Sequence, residues 1–314
     1  MGTRSRSGAD RHRTARPPCA LVAVVGTLLL LGVAVSAARV VGDQSSTRAA
    51  RPAPTATATP DAGPRTLTAS IPDTSAENAS EPRIVLYGDS LSSESQGYFA
   101  EYLIRNGVTD LQTRTFGGTA LCDYLGAMRE DAAVFHPTTV VIEFSGNAFT
   151  PCMQDANGTP VTGDEFFARY RDAATEALRI FAPSGTHVYF VGSPVSSRTL
   201  QTRNRNSEGL NRLYASLSKL GLSTYVDAGA AVLDHGHWTE TLPCLADEPC
   251  ADATDTNGTP TNVVRAPDGV HFCPGSPGAV RGVTGECPVW SSGAFRFGSA
   301  MATPVVQALS ADRQ

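Results

Sequence analysis

Between residues 84 and 309, short apolar runs alternate with stretches whose apolar positions recur at helical spacing. The first run, Ile84-Val85-Leu86-Tyr87, leads straight into Gly88-Asp89-Ser90 and reads as a short buried strand. Tyr98, Phe99, Tyr102, Leu103 and Ile104 then predict a helix ending near Arg105. A short, mixed strand follows over 111–116. Residues 139–144 (Thr-Val-Val-Ile-Glu-Phe) are β-branched and nearly continuous, fit for a buried parallel position. Thr162-x-x-Glu165 opens a helix by the capping-box rule, and that helix runs to about Phe181, before Pro183. A fourth strand over 186–191, a helix over 206–220 closed by Gly221, and a short strand over 224–227 continue the alternation. Residues 233–267, with Pro243, Pro249 and Pro260, read as irregular. The last helix, over about 292–309, packs Phe295, Phe297, Met301, Val305 and Val306. Alternating strands and helices predict a parallel sheet covered by helices on both faces.

The amino-terminal part follows another pattern. Arg4, Arg6, Arg11, Arg13 and Arg16 precede an uncharged apolar run over 19–38, the layout of an export signal or of a single membrane anchor. Val35-Ser36-Ala37 offers small residues for cleavage, and Cys19 stands at the start of the run and not after it, where a lipoprotein cysteine would stand. If the segment is retained, its arginines stay in the cytoplasm and the remainder is exported. Thr, Ala, Pro and Ser dominate from there to Pro82, a composition that cannot bury a core and reads as a disordered tether. The expected division is therefore a basic segment with signal or anchor over 1–41, a linker over 42–82 and one domain over 83–314, working outside the cytoplasm.

Within that domain 16 basic side chains face 24 acidic ones, which argues against nucleic acid as a partner. It also holds six of the seven cysteines, an even number that reads as three disulfides in an exported chain. Sequence proximity favours Cys244–Cys250 and Cys273–Cys287, leaving Cys122–Cys152, one of 15 possible pairings. No Cys-x-x-Cys pair exists, so zinc is disfavoured. Asp234-His235-Gly236-His237 lacks a clear third ligand and reads as loop.

Four short pieces can carry chemistry. Ser90 sits at a strand's carboxyl end and a helix start, near unpaired N–H groups and the positive end of the helix dipole. Gly117-Gly118 let the backbone approach something closely, or simply make a tight turn. Asn147, just past the 139–144 strand, is a turn former, a helix cap, or a side-chain donor to an oxyanion. Asp268, three residues before His271 in a glycine-bearing turn, can fold back onto the imidazole, fixing its tautomer; the alternative is a capping Asp with an incidental His.

In this order, Gly88-Asp89-Ser90-Leu91, Gly117-Gly118, Ser145-Gly146-Asn147 and Asp268-Gly269-Val270-His271 resemble the four blocks of the SGNH hydrolase superfamily, the GDSL-type esterases and lipases. The resemblance covers about residues 84–309. It implies a flavodoxin-like three-layer α/β/α sandwich with a five-stranded parallel sheet. It implies Ser90 as nucleophile, His271 as general base and Asp268 as its orienting partner. The oxyanion hole would comprise the backbone N–H groups of Ser90 and Gly118 (preferred to Gly117, from which spacing does not separate it) and the Asn147 side chain. No metal or organic cofactor is implied. Two positions depart from the pattern: Ala148 stands where the family often has Asp, and Phe272 where it often has Pro. The expected activity is hydrolysis of carboxylic esters by an exported enzyme. Its partner would be an acylated small molecule, lipid or polysaccharide of the cell envelope, with short acyl groups since no long lid is evident; the membrane is a partner if the apolar segment is retained. The alternatives are a carbohydrate O-acyltransferase working with a separate donor or partner, and a tethered binding domain without turnover.

Overall fold

Five strands form the sheet that positions the site: β1 (Arg83–Gly88), β2 (Asp110–Thr115), β3 (Thr139–Glu143), β4 (His187–Val191) and β5 (Thr224–Val226). The computed structural model describes residues 81–197, 206–250, 253–273, 287, 289–311 and 313. The 1–41 segment, and all but the last two residues of the 42–82 linker, lie outside the described residues. No described helix is long and apolar enough to cross a membrane.

All neighbouring strands pair in parallel, in the order β2-β1-β3-β4-β5. This is the doubly wound order in which chain direction across the sheet reverses between β1 and β3, so the loops leaving those two strands diverge and leave a crevice. Gly88 and Glu143 are register partners at the carboxyl ends of the two strands, which brings Ser90 and Asn147 to opposite sides of that crevice.

Side-chain alternation along the strands feeds two cores. Val85, Tyr87, Val140 and Ile142 face the helices α2 (Leu125–Val134), α3 (Gly163–Phe181) and α4 (Asn206–Ser218). Ile84, Leu86 and Val141 face α1 (Ser90–Arg105) and α5 (Ser292–Ala311), burying Phe99, Leu103, Phe297, Met301 and Val305. The α/β/α sandwich is the expected one. α5 lies hard against α1 because Gly298 has no side chain: a Cβ there would come within 2.7 Å of the Ser95 carbonyl oxygen.

Three local expectations differ from what forms. α2 was not anticipated; only Met128 and Asp131 of its ten residues are buried, too few for a periodic signal. Thr162 takes the extended N-cap conformation, but its side chain makes no capping bond. Residues 233–267 are not structureless. They hold a small hairpin, β6 (Leu233–Asp234) with β7 (His237–Trp238). They also hold a three-stranded antiparallel sheet of β8 (Thr241–Pro243), β9 (Ala253–Thr254) and β10 (Pro260–Val263).

Glu248 anchors that small sheet to α5. Its side chain is fully buried, pairs with the 6 % exposed Arg296, and accepts from Ser292 Oγ at 2.8 Å and Asn262 Nδ2 at 3.1 Å. Arg296→Met leaves the carboxylate buried without its cation, and is expected to destabilise the domain by about 3–5 kcal/mol. The check is a lower urea midpoint at unchanged slope.

Three disulfides form, with the pairing that sequence proximity favours: Cys122–Cys152, Cys244–Cys250 and Cys273–Cys287. Such a set persists in an oxidising compartment, and the protein is extracytoplasmic.

Candidate active site

β1 turns into α1 within a single residue because Gly88 lacks a side chain; a Cβ there would lie 2.2 Å from Ser92 Oγ and 2.9 Å from the Glu143 carbonyl. Asp89 then caps the helix, its Oδ1 accepting from Leu91 N at 3.1 Å and its carbonyl from Ser93 N at 2.9 Å. Ser90 is the first helical residue, 7 % exposed, in the turn whose N–H groups have no intrahelical acceptor.

The Asp268–His271 segment closes on itself. Gly269 takes φ +76°, and Asp268 Oδ1 accepts from the backbone N–H of Val270 (2.9 Å) and of His271 (3.0 Å). That leaves Oδ2 for His271 Nδ1, at 2.6 Å. His271 Nε2 lies 2.9 Å from Ser90 Oγ, across 181 residues of sequence. With its Nδ1–H donating to Asp268, the imidazole has Nε2 free to accept from the serine hydroxyl.

Asn147 joins the other two blocks. Its Nδ2 donates to Asp89 Oδ2 at 3.0 Å and to the Thr119 carbonyl at 3.2 Å, while Tyr170 Oη donates to its carbonyl at 2.9 Å. In the free protein both protons of the Asn147 amide are therefore engaged. Gly118, at φ +83°, occupies the left-handed position of the turn before Thr119 and has open space where a Cβ would stand. The Cys122–Cys152 bond ties this loop to the one after Asn147. Phe116 and Phe149 stand exposed on the same two loops.

Burial alone would raise the Asp268 carboxyl and lower the His271 imidazole. Hydrogen bonds from the ring and from two backbone N–H groups outweigh burial at Asp268 and hold it well below the usual carboxylate range. At His271 the bond to Asp268, then the charges of Glu94, Asp268 and Asp89, raise the imidazole above its ordinary value. Two further carboxylates lie wholly buried behind the nucleophile. Burial pushes Asp89 and Glu143 upward, and the Asp89 charge raises Glu143 further. Asp89 receives four donors, from Ser145 N and Oγ, Asn147 Nδ2 and Leu91 N, which work against that rise. Glu143 accepts from the hydroxyls of Ser92 and Ser193 and from the Ser92 backbone N–H.

Sequence reasoning passed over Glu94, Glu143 and Arg265, all buried around this site. Two of them had a signal: Glu143 interrupts an apolar strand, and Glu94 lies one helical turn after Ser90, on the same face. His235 and His237 sit on the exposed β6–β7 hairpin, away from any third ligand among the described residues.

A 2-1-3-4-5 parallel sheet with these four blocks at its carboxyl edge is the arrangement that the resemblance to the SGNH class implies. The chain belongs to the family described as protein of unknown function, DUF459, which matches residues 83–277. Among solved structures it is similar to a protein assigned as an acylhydrolase from Bacteroides fragilis, at 14% identity and TM-score 0.46, covering 74% of this chain and 89% of that one. It is also similar to a GDSL-like lipase from Bacteroides thetaiotaomicron, at 13% identity and TM-score 0.44, covering 73% and 89%. A catalytic mutant of an acetylxylan esterase from Geobacillus stearothermophilus is 16% identical at TM-score 0.38, covering 48% and 78%. No curated protein matches the sequence.

Proposed function

We propose that this protein is an exported serine esterase that hydrolyses carboxylic esters through Ser90, His271 and Asp268. The observation that carries the reading is the unbroken series Asp268–His271–Ser90, with contacts of 2.6 and 2.9 Å, at the crevice of the sheet. Ser90 Oγ attacks the ester carbonyl as its proton passes to His271 Nε2, and Asp268 stabilises the imidazolium. The oxyanion accepts from the backbone N–H groups of Ser90 and Gly118 and from the Asn147 amide, which shares one of its present bonds to do so. His271 then protonates the leaving alcohol, and water releases the acyl group. None of these steps draws on a metal or organic cofactor.

The substrates would be short-acyl esters of envelope carbohydrate or lipid. Support comes from the extracytoplasmic setting and from the Phe116 and Phe149 rings, apolar surface beside the site. The 1–41 segment would deliver the domain as a cleaved signal or hold it as a single-pass anchor, with 42–82 as the tether.

The test is hydrolysis of p-nitrophenyl esters from acetate to laurate by the full-length protein, across pH. His271 acts as a base only when neutral, so kcat/KM should rise as pH climbs through its pKa. Because that pKa is raised, the acid limb should lie above the ordinary imidazole value of 6.5. Absence of turnover across the series, with the protein folded and Ser90 unlabelled by a fluorophosphonate, would sink the reading.

A further inference from the structure

Glu94 is fully buried on α1, one turn beyond Ser90. Its Oε2 accepts from the backbone N–H of Phe272 at 2.6 Å, across 178 residues of sequence, and the carboxylate also accepts from Cys273 N. Phe272 directly follows His271. The remaining groups of Phe272 are fixed as well: its carbonyl accepts from Ser291 Oγ at 2.8 Å, and its ring packs on Phe297. The guanidinium of Arg265 lies over that ring, 5.3 Å from its centroid. Arg265 is 1% exposed and donates through Nη2 to the Val195 carbonyl at 3.0 Å. Among the described residues its Nε and Nη1, and Glu94 Oε1, make no hydrogen bond. The cation thus feels two carboxylates, Asp268 and Glu94, while it packs on the Phe272 ring. A proline in place of Phe272 would have no N–H to offer, so the departure at this position and the buried Glu94 belong together.

We propose that Glu94 is a positioning residue for the reaction: it clamps the backbone just beyond His271 to the helix that begins at Ser90, and it places a second negative charge beside the imidazole. The clamp sets the Ser90–His271 distance from the far side of the histidine, while Asp268 sets the ring's tautomer from the near side. This role rests on the esterase reading. The groups that face His271 are Asp268 on its own turn, Glu94 on α1, and Asp89 at the end of β1, with Arg265 balancing the first two. Burial raises the Glu94 carboxyl, while the His271 charge and the N–H groups of Phe272 and Cys273 favour its ionised form.

The test uses the full-length protein and two variants. Glu94→Gln keeps an acceptor for the Phe272 N–H and removes the charge, so the His271 imidazole, followed by NMR and assigned with His271→Ala, should titrate roughly half a pH unit or more below wild type. Glu94→Ala removes the clamp as well, and should lower kcat by about tenfold or more with KM little changed, since a misplaced base costs turnover rather than binding. An unchanged His271 midpoint in folded Glu94→Gln overturns the proposal, whatever the turnover. The wild type supplies a control that needs no variant: the Phe272 amide should exchange as slowly as core strand amides, and rapid exchange also overturns the clamp. If the wild type has no esterase activity yet its His271 midpoint moves in Glu94→Gln, the esterase reading fails and the Glu94 geometry stands.

Discussion

Ser90→Ala is expected to lower ester turnover by roughly 10⁶-fold, leaving only what binding and the oxyanion donors supply. The size of the effect follows from the arrangement. In the proposed mechanism the hydroxyl is the attacking group, and its proton passes to His271 Nε2, 2.9 Å away. Without Oγ neither the bond to the acyl carbon nor the proton transfer can occur. The fold should be indifferent, because the serine side chain bonds to the histidine and lies at the crevice rather than in either hydrophobic core. Urea midpoints of wild type and variant should therefore agree, and fluorophosphonate labelling should disappear with the hydroxyl. A Ser90→Ala protein that retains wild-type turnover would refute the nucleophile assignment. A labelled but non-hydrolysing wild type would instead point to a transferase that passes the acyl group to an alcohol other than water.

Asp268→Asn is the second large expectation, a fall in turnover of about 10⁴-fold with the fold intact. The carboxylate accepts the Nδ1 proton of His271 at 2.6 Å. An amide in its place can turn its NH₂ toward Nδ1 and hold the ring in the wrong tautomer, with Nε2 protonated and unable to take the serine proton. The remaining activity should also move on the pH axis, since losing the opposite charge lowers the His271 pKa and carries the acid limb down with it. Stability supplies an independent check. The depressed Asp268 pKa contributes stability above the ordinary Asp value of 3.8, lost as pH falls through the folded value. The raised His271 pKa contributes stability below 6.5, lost as pH rises through the folded value. The gap in urea midpoint between wild type and Asp268→Asn should thus be widest between these two values and shrink on either side. A gap that is flat with pH would mean that the two side chains are not coupled.

Features whose physics is local could be read from the order of residues alone. Strand and helix periodicity report on neighbouring residues, so all five strands of the parallel sheet and four of its helices were legible within a few residues at each end. Ser90 at a strand end is equally local. So is the Asp268–His271 pair, because an Asx turn over three residues with a glycine inside closes without help from the rest of the chain. Cysteine pairs 6 and 14 residues apart belong to the same category.

Which distant groups meet depends on the folded packing. The approach of His271 to Ser90, the hold of Glu94 on Phe272, and the convergence of Ser145 and Asn147 on Asp89 depend on how α1 and the loops after β3 and β10 pack over one sheet edge. No periodicity encodes that packing. Buried charge was hidden for a related reason: an acidic residue reads as surface until its donors are seen, and the donors of Glu94 are backbone N–H groups from the far end of the domain. α2 and the small sheets over residues 233–263 escaped notice because they bury little of their own surface and exist through the contacts they make.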